Sequence, residues 1–445
     1  MYPSRHKLVI LLLAILPLWG FSQGVFHLPE GKNKITIPVE IKNNLVIVPV
    51  TVNDTPLSFL LDTGVKSNII FNAGSHDEVQ LNHTSKIYLS GAGGGEPVEA
   101  LKSEHNILNV GEASSVNQNL YFITDAAHNF SPRLGIEVNG ILGYSLFKDF
   151  VVEVNYVRSK LILHRPETYR QRSCRSCIKT PILVKSGKPY AKVEVEQGDA
   201  PVGVYVLVDS GSGDALWLFP DSHDDLKIGK PNFDDLLGLG MTGDVTGKRA
   251  KLQALNIEDL AIKDVTVAYP DSLSIRHLVV DDGRNGSLGG EILKRFKVIY
   301  DYPNGTMTLK KNKNFDEPYR YNRSGLIVEH SGYDIIKEIA QDIREKPTTD
   351  EENPLITSIF KATNTIQFKL KNNYEIADIR PGSPGDIAGL QKGDRILKVN
   401  GRDTGKLELE DITKHFFKDE GYLLKLQVER KGIVFNCRFA LKKIL

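Results

Sequence analysis

The sequence predicts a mainly β protein built from two copies of one β lobe, followed by a separate C-terminal unit. Three observations carry this. The run Phe59-Leu60-Leu61-Asp62-Thr63-Gly64 returns as Val206-Leu207-Val208-Asp209-Ser210-Gly211, with the aspartates 147 positions apart. Two further landmarks repeat in the same order: Gly91-Ala92-Gly93 as Gly238-Leu239-Gly240, and Asn139-Gly140-Ile141-Leu142-Gly143 as Asn285-Gly286-Ser287-Leu288-Gly289. Spacing kept to one residue over such a distance marks an internal repeat. Finally, 38 glycines and many Val, Ile, Tyr and Phe runs, with few long helical patterns, favour strands over helices.

The N-terminus has the layout of an export signal. Arg5, His6 and Lys7 form a basic start, Leu8 to Gly20 is almost unbroken apolar, and small Gly20 and Ser22 suit cleavage near Ser22-Gln23-Gly24. Residues 1–22 are thus expected to be a signal peptide, with an uncleaved anchor as the alternative. The apolar run is about thirteen residues, short of the roughly 20 that span a bilayer, and no stable membrane span is expected after its removal. No cysteine follows it, so a lipid anchor is not indicated. The expected location is outside the cytoplasm, periplasmic or extracellular.

The first lobe is expected over residues 30–165. Ile35, Ile37, Val39 and Ile41 alternate with polar residues, and Leu45 to Val52 and Leu57 to Leu61 are apolar runs. Asn43-Asn44 and Asn53-Asp54 are the turns between them. Ser67 to Phe71 is another strand, and Ile87 to Val98 a hairpin with a glycine-rich tip. A strand pair, Phe150 to Tyr156 and Lys160 to His164, closes the lobe. A linker, 166–179, contains Cys174 and Cys177, which read as a local disulfide or a pair of free thiols; no further ligands stand at zinc-knuckle spacing. The second lobe is expected over 180–312.

A net charge of +1 gives no general attraction to nucleic acid or to an anionic surface. The eleven histidines lack any metal-binding spacing, and no G-x-S-x-G elbow or Walker loop occurs. Gly238 to Gly243 fits G-x-G-x-x-G, but its flanks are strand-like and no helix follows. Neither a metal nor another cofactor is expected.

A buried strand ending in Asp-Thr/Ser-Gly, present twice, suits hydrolysis by two carboxylates that share one proton. The order of apolar-apolar-Asp-Thr/Ser-Gly, glycine-rich hairpin and apolar-Leu-Gly resembles the aspartic peptidases of pepsin and retropepsin type, over about residues 30–312. Each lobe is short, as in the retroviral form, and both sit in one chain, as in pepsin. The resemblance implies two acid-protease β-barrel lobes with Asp62 and Asp209 as the catalytic pair in the cleft between them. It also implies that Thr63 and Ser210 hydrogen-bond across the pair. Gly64 and Gly211 let backbone amides approach the carboxylates. Ser90, Gly91, Ala92, Gly93, Gly94 and Gly95 read as a flap over substrate, with a plain hairpin loop as the alternative. The glycines at 140–143 and 286–289 read as close-packing points beneath the active loops.

Beyond Lys313, Arg380-Pro381-Gly382-Ser383-Pro384-Gly385-Asp386-Ile387-Ala388-Gly389-Leu390 and Gly393-Asp394-Arg395-Ile396-Leu397-Lys398-Val399-Asn400-Gly401 resemble a PDZ domain, over about 320–445. Ile335, Ile336, Ile339, Ala340 and Ile343 at helical spacing predict a helical insert, about 333–366, between its first strands. Gly325, Leu326, Ile327 and Val328 are the candidates for taking a peptide C-terminus by strand addition, unless the insert fills the groove. The functional expectation is an exported aspartic endopeptidase that acts on peptide or protein substrates. The alternative is a catalytically silent peptide-binding or scaffolding protein of the same fold.

Overall fold

The computed structural model describes residues 24–71, 79–125, 128–171, 173–198, 200–279, 283–346 and 359–445. The expected signal peptide lies outside the described residues. In the first lobe, Leu45–Val52 and Thr55–Leu61 form a hairpin across Asn53 and Asp54, whose φ values of 44° and 69° are what a tight right-twisting turn requires. Alternate residues of Thr55–Leu61 are buried, and Phe59 and Leu61 are fully so. Gly140–Leu142 slots in parallel beside this strand, Leu142 opposite Leu61, and antiparallel to Asn68–Ile70. The second lobe repeats the arrangement: Gly286–Leu288 lies parallel to Pro201–Val208, Leu288 opposite Val208, and antiparallel to Leu216–Leu218. The repeat therefore holds at the level of strand register.

A sheet joins the lobes. Val151–Asn155 pairs with Phe296–Asp301, Val152 opposite Tyr300, and each of these strands carries partners of its own lobe outward: Lys160–His164 and Lys34–Pro38 on one side, Thr306–Lys311 and Cys177–Lys185 on the other. A single apolar cluster runs through both lobes, from Phe26 to Tyr319. Cys174 and Cys177 are bonded to each other, the disulfide alternative.

The C-terminal unit has its own core, from Leu326 to Leu441. Its sheet runs in the order Leu326–Lys346, Ile359–Ile379, Arg395–Val399, Leu423–Arg430, Ile433–Ala440. Helix Leu409–Thr413 packs against this sheet, with Leu409 and Ile412 buried. The expected helical insert is corrected: 333–346 is strand, paired antiparallel with 359–372 in one long hairpin. Ile335, Ile339 and Ile343 sit four apart, a spacing that satisfies a two-residue period as well as a helical one. The partner strand decides between them: Ile335 lies opposite Leu370, and Phe368, two residues along, shares that face. Residues 347–358 of that stretch lie outside the described residues. Among the described residues, the insert extends the two strands.

The unit docks on both lobes. Arg380 Nη1 is 3.2 Å from Asp235 Oδ1 and its guanidinium lies 4.3 Å from the Phe233 ring centre, both on the second lobe. On the first lobe, Lys42 Nζ is 2.6 Å from Glu408 Oε2, and Arg133 Nε is 2.6 Å from Glu329 Oε2.

Candidate active site

Each apolar strand carries its aspartate to the inter-lobe face and is held there by the inserted strand beside it. The Asp62 N–H donates to Leu142 O at 3.0 Å, and the Asp209 N–H to Leu288 O at 2.9 Å. The inserted strands are fixed by equivalent asparagines: Asn139 Oδ1 accepts from Ser58 N at 2.7 Å and Asn285 Oδ1 from Tyr205 N at 2.8 Å. Gly140 and Gly286 are needed for closeness, since an added Cβ would lie 2.3 Å from Ile69 O and 2.0 Å from Trp217 O. These are packing contacts beneath the loops, as expected.

The two loops are locked to each other. The Thr63 N–H donates to Ser210 Oγ at 3.0 Å and the Ser210 N–H to Thr63 Oγ1 at 2.9 Å. Thr63 Oγ1 donates to Val208 O at 2.6 Å, and Ser210 Oγ to Leu61 O at 2.8 Å. All four donors and acceptors are buried, where hydrogen bonds are strongest and least dispensable. The glycines cross over as well. A Cβ on Gly211 would lie 2.2 Å from Asp62 Oδ2, and one on Gly64 would lie 2.9 Å from Asp209 Oδ1. Each carboxylate thus rests against the opposite lobe's glycine, and the two carboxyl groups come within hydrogen-bonding reach. The Gly64 N–H donates to Asp62 Oδ1 at 2.7 Å and the Gly211 N–H to Asp209 Oδ1 at 3.2 Å.

Burial and the facing Asp209 push the Asp62 carboxyl up to about 8. Burial also raises Asp209, opposed by the positive charges of Arg284 and Lys188 and by the Gly211 and Ser212 amides. Both shifts favour keeping a proton at the pair, and its titration belongs to the pair rather than to either carboxyl. Arg284 was not legible in the sequence: its counterpart position in the first lobe is Val138, so the repeat gives no signal for it. It is buried, donates from Nε to Gly286 O at 2.9 Å and bonds Ser287 Oγ through Nη2.

The glycine-rich tips meet. Ser85–Leu89 pairs with Val98–Val110 and presents Ser90 to Gly95 at its tip; Phe233–Gly240 pairs with Gly243–Lys251. The Thr242 N–H donates to Ala92 O at 2.8 Å, Thr242 Oγ1 to Gly91 O at 3.1 Å, and the Gly95 N–H to Thr242 O at 3.0 Å. The Gly93 N–H donates to Ser274 O at 2.9 Å, and Gly93 itself has φ 119° with room for no Cβ, which would lie 2.4 Å from Gly243 N. Glycine here permits backbone-to-backbone contact between hairpins, a reason beyond hinge freedom. Thr242 and Ser274, which complete this contact, carry no sequence signal that singles them out.

In the C-terminal unit, Ile327 and Val328 lie in the ladder opposite Asp378 and Ile376. Gly325 has φ 78° and packs on Ser383, 2.2 Å from where its Cβ would be. The amides of Gly325 and Leu326 are already taken. Asn322 Oδ1 accepts from Ser324 N at 3.0 Å and from Gly325 N at 3.1 Å, and Ser324 Oγ accepts from Leu326 N at 3.1 Å. Among the described residues, no three His, Cys, Asp or Glu side chains are placed to hold a metal, and no helix is long and apolar enough to cross a membrane.

Family models match one stretch of the first lobe and one of the C-terminal unit. Residues 48–146 match the aspartyl protease family model, and residues 375–414 match the PDZ domain model. Among solved structures, the aspartic proteinase from Irpex lacteus is 12% identical, covers 64% of this chain and 99% of its own, and superposes with a TM-score of 0.40. The chain combines an aspartyl-protease-like domain, mainly β, with a PDZ domain at its C-terminal end.

Proposed function

We propose that this protein is an exported aspartic endopeptidase, with Asp62 and Asp209 activating the water that hydrolyses a peptide bond. The observation that carries the reading is the crossed contact of the two loops, which brings the two carboxyls face to face. The ionised member takes a proton from water as the water attacks the carbonyl carbon. The protonated member gives its proton to the carbonyl oxygen, and the resulting diol collapses as the amide nitrogen is protonated. Thr63, Ser210, Gly64 and Gly211 act by holding this geometry. The hairpin tips around Ala92 and Thr242 would part to admit an extended peptide and close over it.

We place the lobes at 30–165 and 180–312 and the PDZ domain at 320–445, where it serves peptide or partner binding. Export to the periplasm or the exterior rests on the basic and apolar N-terminal pattern. N-terminal sequencing of the mature chain tests it, with a start near Gln23 expected.

The enzyme reading is tested by incubating the parent, Asp62→Asn and Asp209→Asn with a peptide library from acidic to neutral pH. Each variant should lose on the order of 10³ in kcat/KM. A parent that binds library peptides but cleaves none at any pH would overturn it in favour of a silent peptide-binding protein.

A further inference from the structure

The PDZ domain holds a piece of the first lobe. Its strand Leu326–Lys346 is the edge of the sheet, and helix Leu409–Thr413 packs against it. The slot between such an edge strand and helix is where PDZ domains add an extended peptide. Here one short segment of the first lobe, helix Ser131–Leu134 with Gly135, touches both walls. Arg133 Nε is 2.6 Å from Glu329 Oε2 on the strand. Gly135, with φ 70°, lies so near the helix that an added Cβ would be 2.4 Å from Leu409 Cβ. Beside it, Lys42 Nζ pairs with Glu408 Oε2 at 2.6 Å and lies 3.9 Å from Glu410 Oε2. The domain meets the lobe with carboxylates, and the lobe answers with cations.

The loop that would capture a free C-terminus already has its amides bonded. The Asn322 carboxamide oxygen already accepts the Ser324 and Gly325 amides, and Ser324 Oγ the Leu326 amide. A terminal carboxylate would have to expel both.

We infer that this groove takes internal, arginine-bearing chain segments, that its resident ligand is residues 131–135 of the same chain, and that an outside segment of like chemistry competes with the first lobe for it. The resident segment runs on through Asn139 into Gly140–Leu142, the strand whose Leu142 carbonyl holds the Asp62 amide. Exchange of the ligand is therefore transmitted to the dyad loop. A tethered segment acts at an effective concentration in the millimolar range, so the parent chain masks its own groove.

The inference rests on the PDZ part of the reading above, and its test reads binding, so it fails separately from the claim of hydrolysis. The probe is a labelled peptide copying residues 129–137, acetylated and amidated, titrated into the full chain carrying Asp209→Asn so that it survives. Arg133→Glu should bind it about tenfold or more tightly than the parent, because the resident segment is repelled while Glu329 is kept. Glu329→Arg should instead take the probe whose arginine is replaced by glutamate. Combining the two substitutions should restore masking and abolish both gains. Equal affinity of parent and both single variants would overturn the inference. So would preference for a probe with a free terminal carboxylate.

Discussion

Thr63 and Ser210 stand in a reciprocal relation across the inter-lobe face: each hydroxyl accepts the other's backbone N–H, and each donates to the carbonyl just before the opposite aspartate. Thr63→Val leaves the Ser210 N–H and the Val208 carbonyl buried without that partner. At about 1–3 kcal/mol for each such group, the loss should be about 2–4 kcal/mol, read from urea unfolding. Thr63→Ser keeps the hydroxyl and should retain most stability and activity. The double variant Thr63→Val/Ser210→Ala should lose less than the sum of the single losses, because the two share bonds.

The pH dependence follows from the raised Asp62 carboxyl. In the unfolded chain it ionises near 3.8; in the folded chain it keeps its proton to about 8. The folded state thus binds more protons between these values, so this contribution to stability is full below about pH 4 and is lost as pH rises through about 8. Unfolding midpoints should fall from pH 4 to pH 8 in the parent and fall less in Asp62→Asn. The alkaline limb of kcat/KM should lie near pH 8; a limb near pH 5 would contradict a shared proton at neutrality.

Glycine is required where the loops cross. Gly211→Ala places a methyl group 2.2 Å from Asp62 Oδ2, and Gly64→Ala one 2.9 Å from Asp209 Oδ1. Peptidase activity should vanish in the first and fall less far in the second. A crystal structure or a pH profile of Gly64→Ala would register the displaced carboxylate.

Arg249 links the dyad loop to the docked PDZ domain. It pairs with Asp214 at 2.9 Å and Asp235 at 2.8 Å, and Asp235 in turn meets Arg380 at 3.2 Å. Arg249→Met takes the shared cation from two largely buried carboxylates, leaving Asp235 its Arg380 contact and Asp214 the Trp217 Nε1–H. It should cost about 3 kcal/mol, the low end for a broken buried pair. Arg380→Met leaves Arg249 paired and should cost less, while raising hydrogen exchange at Phe233 and Tyr321 where the domain rests on the second lobe.

The two lobes were legible because duplication repeats a pattern that physics constrains twice: the strand, the aspartate and the glycine that the opposite carboxylate demands. The hairpin at 333–372 was misread because a four-residue spacing of isoleucines serves strand and helix alike, and the register with Phe368 and Leu370 is not visible within one segment. Arg284 and the seat of Gly135 on Leu409 were out of reach for another reason. They depend on contacts between distant parts of the chain that leave no periodic trace.

The sheet that joins the lobes is knit by main chain. Val152 faces Tyr300 and Asn155 faces Lys297 through a backbone ladder that does not depend on which side chains those residues carry. A seam of this kind tolerates drift: Val154-Asn155 and Tyr300-Asp301 hold equivalent places with different residues. The halves of the molecule are therefore free to diverge in what they grip, one lobe hosting the PDZ domain's ligand and the other its anchor, while the frame that brings their aspartates together stays written in peptide bonds.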